Sequence, residues 1–124
     1  MSRDQDVEIS QRVDHGAVRS LHGINSLKNL QRLRLANLKC LSSLAEIDAL
    51  EKLEELEIQT CRGIRSIQEI GNLSRLRRLH LNDDGDIESL KPLDRLSTLE
   101  SMMFYETTNI LDGNLFPLMH HKSR

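Results

Sequence analysis

Aliphatic side chains return along this chain at fixed intervals, and the interval itself changes within each cycle. Leu30, Leu53, Leu76 and Leu99 lie 23 residues apart. From Leu30 the aliphatics continue at Leu33, Leu35, Leu38, Leu41, Leu44, Ile47 and Leu50; from Leu53, at Leu56, Ile58, Ile64, Ile67, Ile70 and Leu73. The third cycle repeats them at Leu79, Leu81, Ile87, Leu90, Leu93 and Leu96. A fourth opens with Met102, Phe104 and Ile110 at matching offsets, and Val18, Leu21, Ile24 and Leu27 match the second half of a copy that precedes Leu30. The first half of that copy is degenerate, with Val7 and Ile9 as its match once a short insertion is allowed.

Two spacings in one cycle predict two backbone conformations. The L-x-L step sends alternate side chains to opposite faces, as a short strand requires. The run at every third residue fits turns and 3-10 segments, whereas a long α-helix would alternate threes and fours. Stacked cycles put their strands side by side in a parallel sheet about 4.8 Å apart, wound in the right-handed sense of parallel crossovers. Eight aliphatic side chains in the cycle from Leu30 gain about 1.5–3 kcal/mol each when buried. Ordering the backbone costs about 1–2 kcal/mol per residue. These terms are comparable over one cycle, so an isolated cycle is unfolded and stability comes from stacking. Residues 18–118 are the repeat domain, with full cycles starting at 30, 53 and 76 and partial ones at both ends. Residues 1–17 are a degenerate segment or first partial repeat, and 119–124 a tail.

The run Leu53-Glu54-Glu55-Leu56-Glu57-Ile58-Gln59-Thr60-Cys61 resembles the leucine-rich-repeat signature L-x-x-L-x-L-x-x-C. The spacing of Ile87, Leu90, Leu93, Leu96 and Leu99, with Lys91-Pro92 inside it, looks like the short repeats of internalins and of the leucine-rich regulatory subunit of protein phosphatase 1. Here the repeat is one residue longer, within Cys61-Arg62-Gly63-Ile64. The resemblance implies an α/β solenoid: a right-handed coil with short parallel strands on a concave, partner-binding face and 3-10 or irregular turns on the convex face.

Composition narrows the function. The 124 residues carry 17 basic and 19 acidic side chains for a net charge of −2, and aromatics make up only 2%. Leucine, present 22 times, must build the core. Charges interrupt every apolar run well short of a membrane span. No basic excess or set of stacking aromatics suits nucleic acid. Two cysteines, Cys40 and Cys61, are too few for a disulfide-stapled scaffold. The amino end has acids where a signal peptide would carry basic residues, so the chain as written is expected in the cytoplasm with both thiols reduced.

Candidate chemistry is sparse. Leu38, Cys61, Asp84 and Thr107 occupy the column where the resembling family places Asn or Cys to satisfy backbone amides inside the turn. Cys61 has no cationic neighbour at a spacing that would lower its pKa. The oxygen-rich run Asn82 to Glu88 lacks EF-hand spacing and reads as an exposed turn. His15, His22, His80, His120 and His121 form no constellation with a nucleophile. Catalytic residues, a metal site and a cofactor are therefore not expected.

The side chains that alternate with the inward leucines define the candidate binding face. Its columns are Arg32, Glu55, Arg78, Ser101; then Arg34, Glu57, His80, Met103; then Ala36, Gln59, Asn82, Tyr105. Arg32 and Arg34 stand where they can pair with Glu55 and Glu57, and those with Arg78 and His80. Such a ladder keeps a parallel sheet soluble and in register. The same surface, with Tyr105, Met103 and His80 as an anchor, is suited to a protein of complementary charge. At the carboxyl end the register slips to Leu111, Leu115 and Leu118. The last layer is left to an improvised cap at Phe116-Pro117-Leu118, to further repeats, or to self-association through the uncapped end.

These observations predict a noncatalytic protein-interaction module that binds a partner through the concave face, using Arg32, Arg34, Glu55, Glu57, Gln59, Arg78, His80, Asn82, Met103 and Tyr105. A structural or spacer segment of a larger repeat protein is the alternative. Docking on an enzyme such as a phosphatase is a third reading, carried by the resemblance alone.

Overall fold

In a computed structural model that describes residues 6–10, 20–105 and 109–111, the side chains at 10, 104, 105 and 109 excepted, each L-x-L step is a strand. The strands are β1 (Asp6–Ser10), β2 (Arg32–Ala36), β3 (Glu55–Gln59), β4 (Arg78–Asn82), β5 (Asp86–Ile87), β6 (Ser101–Tyr105) and β7 (Asn109–Ile110). Five of them form one parallel sheet in the order β1-β2-β3-β4-β6, so every crossover returns the chain to the adjacent position. The register is uniform: Leu33 stands opposite Leu56, Leu56 opposite Leu79 and Leu79 opposite Met102.

The degenerate first copy is a strand in the same sheet, with Val7 opposite Leu33 and Ile9 opposite Leu35. Residues facing each other across β1 and β2 are 26 apart in sequence, as at Asp6 and Arg32, whereas Glu55 and Arg78 on β3 and β4 are 23 apart. The excess is the short insertion expected from the sequence.

The return path obeys the spacing of three. Its 3-10 segments are Ile24–Ser26, Ile47–Ala49, Gln68–Asn72 and Lys91–Arg95. Leu50 N–H donates to Ile47 C=O at 3.0 Å and Leu53 N–H to Leu50 C=O at 3.1 Å, and the pattern recurs in each turn. A backbone that bonds three residues back returns the same face every third residue, so the leucines and isoleucines point inward, with Leu27 in the first turn left exposed. They form one core running from Leu21 to Leu99, with Val7, Ile9, Met102 and Ile110 packed against it. Ser43, Ser66 and Ser89 recur along the same path, each accepting the N–H two residues on, at 3.0, 3.3 and 3.0 Å. They close the turn before the last three 3-10 segments, as Ser20 does before the first at 3.4 Å, a polar column that the hydrophobic pattern does not reveal.

Two findings depart from the sequence expectation. The run Asn82 to Glu88 is not an exposed turn throughout: Asp84 is fully buried, because it sits in the column whose side chains serve backbone amides. Asp86 and Ile87 form β5, which pairs in parallel with β7, Ile87 opposite Ile110, as a second, two-stranded sheet. Strands that short leave no alternation to detect. Thr107, His15, His120, His121 and the expected cap at 116–118 lie outside the described residues, as does the open carboxyl end to which self-association was assigned.

Candidate functional site

Because a strand alternates its side chains, burying Leu33 and Leu35 forces Arg32 and Arg34 outward. The same holds for Glu55 and Glu57 on β3, and for Arg78 and His80 on β4. Parallel register then lines them up in rows across the sheet. Arg32 and Arg34 face Glu55 and Glu57, which face Arg78 and His80, and His80 faces Met103. Gln59 and Asn82 complete a third row beside the buried Ala36. Tyr105 is placed opposite Asn82 by its backbone, and its side chain lies outside the described residues.

The rows differ in how tightly they are tied. In the first, Arg32 donates to Asp6 at 2.9 Å and Arg78 to Glu55 at 2.6 Å, with Arg32 Nε 3.7 Å from Glu55. The hydrogen bond to Asp6 raises the Arg32 pKa further above its ordinary value. In the second, Arg34 stands 3.7 Å from both Glu8 and Glu57 and gives its hydrogen bond to the Gln59 side-chain amide oxygen Oε1 at 2.6 Å. The expected pairing of Glu57 with His80 is corrected: the two are in register, but among the described residues no ion pair joins them.

Sequence reasoning missed the first strand of this surface. Asp6 and Glu8 extend the rows by one step, so that β1 is acidic, β2 basic, β3 acidic and β4 basic. The signal was present in Val7 and Ile9, whose neighbours must face outward once those two face in. A further row at the strand entrances was also missed. Arg77 holds Glu100 through two hydrogen bonds of 3.0 and 3.1 Å and lies 3.8 Å from Glu54. The bond from Arg77 holds the Glu100 carboxyl below its usual range. A groove of about 380 Å³ runs over the outward face, lined by residues of β1 to β4 including Glu8, Arg34, Glu57 and His80.

Inside the coil the chemistry is structural. Cys61 N–H donates to Asp84 Oδ1 at 3.0 Å, and the Cys61 thiol donates to Gln59 C=O at 3.3 Å. Burial pushes the Cys61 thiol up to about 11, which keeps it protonated and unreactive. No cluster of three or more metal-ligating side chains occurs among the described residues. No helix among them is long and apolar enough to cross a membrane.

A parallel sheet advancing by one strand per turn, with inward leucines and 3-10 returns, defines a leucine-rich-repeat solenoid. The pattern of the leucine-rich-repeat domain of the endo-beta-N-acetylglucosaminidase EndoS matches residues 7–98, and the chain belongs to this leucine-rich-repeat family. Among solved structures it is similar to an internalin (inlF) from Listeria monocytogenes, with a TM-score of 0.61 and 22% identity over 82% of this chain and 35% of that one. It is also similar to internalin C2 of the same organism, with a TM-score of 0.57 and 22% identity over 86% of this chain and 55% of that one. At such identity the likeness is one of fold, and this chain spans only part of either length. Comparison with curated proteins gave no match.

Proposed function

We propose that this domain is a noncatalytic protein-interaction module that docks a partner protein on the outward face of its five-stranded sheet. One observation carries the reading: strands in uniform register present a continuous, grooved surface of charged side chains from β1 to β4, ending at the exposed Met103. Membership of a repeat family and the inert interior around Cys61 support it. The residues assigned to docking are Arg32, Arg34, Glu55, Glu57, Gln59, Arg78, His80, Asn82, Met103 and Tyr105. The proposal also places the protein in the cytoplasm, where the exposed thiol of Cys40 stays reduced; cell fractionation checks this. Affinity capture from native extract tests the docking face. A protein retained by the parent and lost from a folded variant carrying Arg32→Glu, Arg34→Glu, Glu55→Lys and Glu57→Lys supports it. Identical capture by both overturns it.

The coverage of 35% and 55% of the two internalin chains favours a second reading, a spacer segment of a larger repeat protein. An in-frame continuation of the gene past Arg124 supports that reading, and a stop codon opposes it.

A further inference from the structure

We propose that the row Glu8, Arg34, Glu57, His80 and Met103 receives one α-helix of a partner protein, laid across the strands. Successive turns of that helix present a cation, an anion, a cation, an anion and an apolar side chain. This rests on the docking reading above and names the partner's chemistry.

The choice of row follows from the hydrogen bonds. In the first row Arg32 and Arg78 hold Asp6 and Glu55 at 2.9 and 2.6 Å, so those charges are engaged in keeping the strands in order. In the second, Arg34 bonds Gln59 and stays 3.7 Å from Glu8 and from Glu57. Those contacts offset charge without filling the hydrogen-bonding capacity of the carboxylates, which needs a shorter distance. Glu8, Arg34 and Met103 are 51, 43 and 47% exposed, so the row is open to a visitor.

The choice of a helix follows from pitch. Neighbouring strands are about 4.8 Å apart, and an α-helix rises about 5.4 Å per turn. A helix along the row therefore offers one side chain to each strand and drifts by about 0.6 Å per step, within the reach of Lys, Arg and Glu. An extended segment puts same-face side chains about 6.6–6.8 Å apart and falls out of step by about 2 Å at every strand. The choice of charges follows from the alternation of sign by strand. A helix with the opposite order sets like charge against like at Glu8, Arg34 and Glu57, which disfavours it. Met103, beyond the last ionisable position, fixes which end of the stripe is apolar.

The test uses the full chain and three synthetic peptides, followed by two-dimensional NMR titration at low salt. The matched peptide is an alanine-based helix with Lys, Glu, Lys, Glu and Leu at i, i+4, i+7, i+11 and i+14. The second is the same helix with Lys and Glu exchanged. The third carries the matched residues at every second position of a proline-interrupted, non-helical chain. The matched helix is expected to bind at least tenfold more tightly than either other peptide, with shifts confined to β1–β4 and Met103. The triple variant Glu8→Lys, Arg34→Glu and Glu57→Arg is expected to reverse the preference between the two helices. Should that variant not fold, Glu8→Lys on the outermost described strand must weaken the matched helix. Equal affinity for both helices, equal or tighter binding of the extended peptide, or no response to these substitutions overturns the inference. If no peptide binds while the charge reversals still abolish capture from extract, the helix is wrong and the docking face stands. If neither happens, both fail.

Discussion

Asp84 accepts the Cys61 N–H through Oδ1 at 3.0 Å, with both residues fully buried in adjacent turns of the coil. The carboxyl group serves a neighbouring backbone from a place where its charge is costly. Burial pushes its pKa up to about 7, against the pull of the Cys61 and Asn82 amides. An acid raised in the folded state keeps its proton where the unfolded chain, titrating near 3.9, has lost it. Its contribution is therefore full below about pH 4, falls as pH rises through about 7, and is flat above that. Asn in this place mimics the protonated carboxyl and does not ionise. Asp84→Asn is expected to match the parent at pH 4 and to exceed it by about 1–3 kcal/mol at pH 8. Urea unfolding at both values checks this, and a constant difference between variant and parent contradicts it.

The two thiols should differ sharply in reactivity. Cys40 is exposed, whereas Cys61 is buried, donates its S–H to backbone carbonyls and titrates near 11. Iodoacetamide on the folded protein at pH 8 is expected to modify Cys40 and leave Cys61 intact until denaturant is added. Mass spectrometry of the intact chain counts the labels, and two rapid additions would show that the coil opens readily at β3.

Asn37, Thr60 and Asp83 follow β2, β3 and β4 at equivalent positions, and all three have left-handed backbones, with φ of 62, 55 and 58°. Asn and Asp tolerate this region; a β-branched residue does not. Thr60 keeps a hydrogen bond to Asp83 at 3.3 Å that an Asn amide can replace. Thr60→Asn is expected to stabilise the domain by about 0.5–1 kcal/mol, seen as a higher melting temperature by calorimetry. Thr60→Val removes the bond and keeps the strain, and should lower it.

Arg77 bridges Glu54 and Glu100 at the strand entrances, and its hydrogen bonds to Glu100 are what hold that carboxyl below its ordinary pKa. Arg77→Gln should move the Glu100 midpoint up to the usual glutamate range in an NMR pH titration, leaving the fold intact because both groups are exposed. An unmoved midpoint would mean that the pair is not formed in solution.

What the sequence disclosed and what it hid have physical causes. The inward columns were legible because those positions take only apolar side chains in every copy, and the outward Arg and Glu columns followed from strand alternation. Asp6 and Glu8 were harder to place, since the longer step into β2 breaks the 23-residue count that exposes the other strands. Asp84 drew two readings from the sequence, a place in the amide-serving column and a place in an exposed acidic turn; the Cys61 amide it accepts bears out the first, and the second failed because Asp beside Gly is usually solvated. The serine column at 43, 66 and 89 repeats as regularly as the leucines, but hydroxyls carry no hydrophobic signal. The failure of His80 to pair with Glu57 depends on side-chain rotamer, which residue charge alone does not encode.

The extra residue in this repeat relies on Gly63. A Cβ placed there would lie 2.6 Å from the Leu41 carbonyl oxygen and 3.2 Å from that of Lys39, in the preceding turn. Neither oxygen is the end of a flexible side chain, so the two turns must separate to admit a methyl group. Separation would propagate to the neighbouring Leu41 and Ile64, both buried in the core. Gly63→Ala is expected to cost about 1–3 kcal/mol, despite the lower backbone entropy of alanine in the unfolded chain. Cys40 holds the same place one turn earlier and is exposed. Cys40→Ala should therefore stay within about 0.5 kcal/mol of the parent. Urea denaturation separates the cases: a lower midpoint for Gly63→Ala at unchanged slope means a strained but still cooperative coil. A reduced slope means that the turns on the two sides of the substitution have come apart and unfold separately, as a chain of nearest-neighbour interfaces does when one of them is weakened.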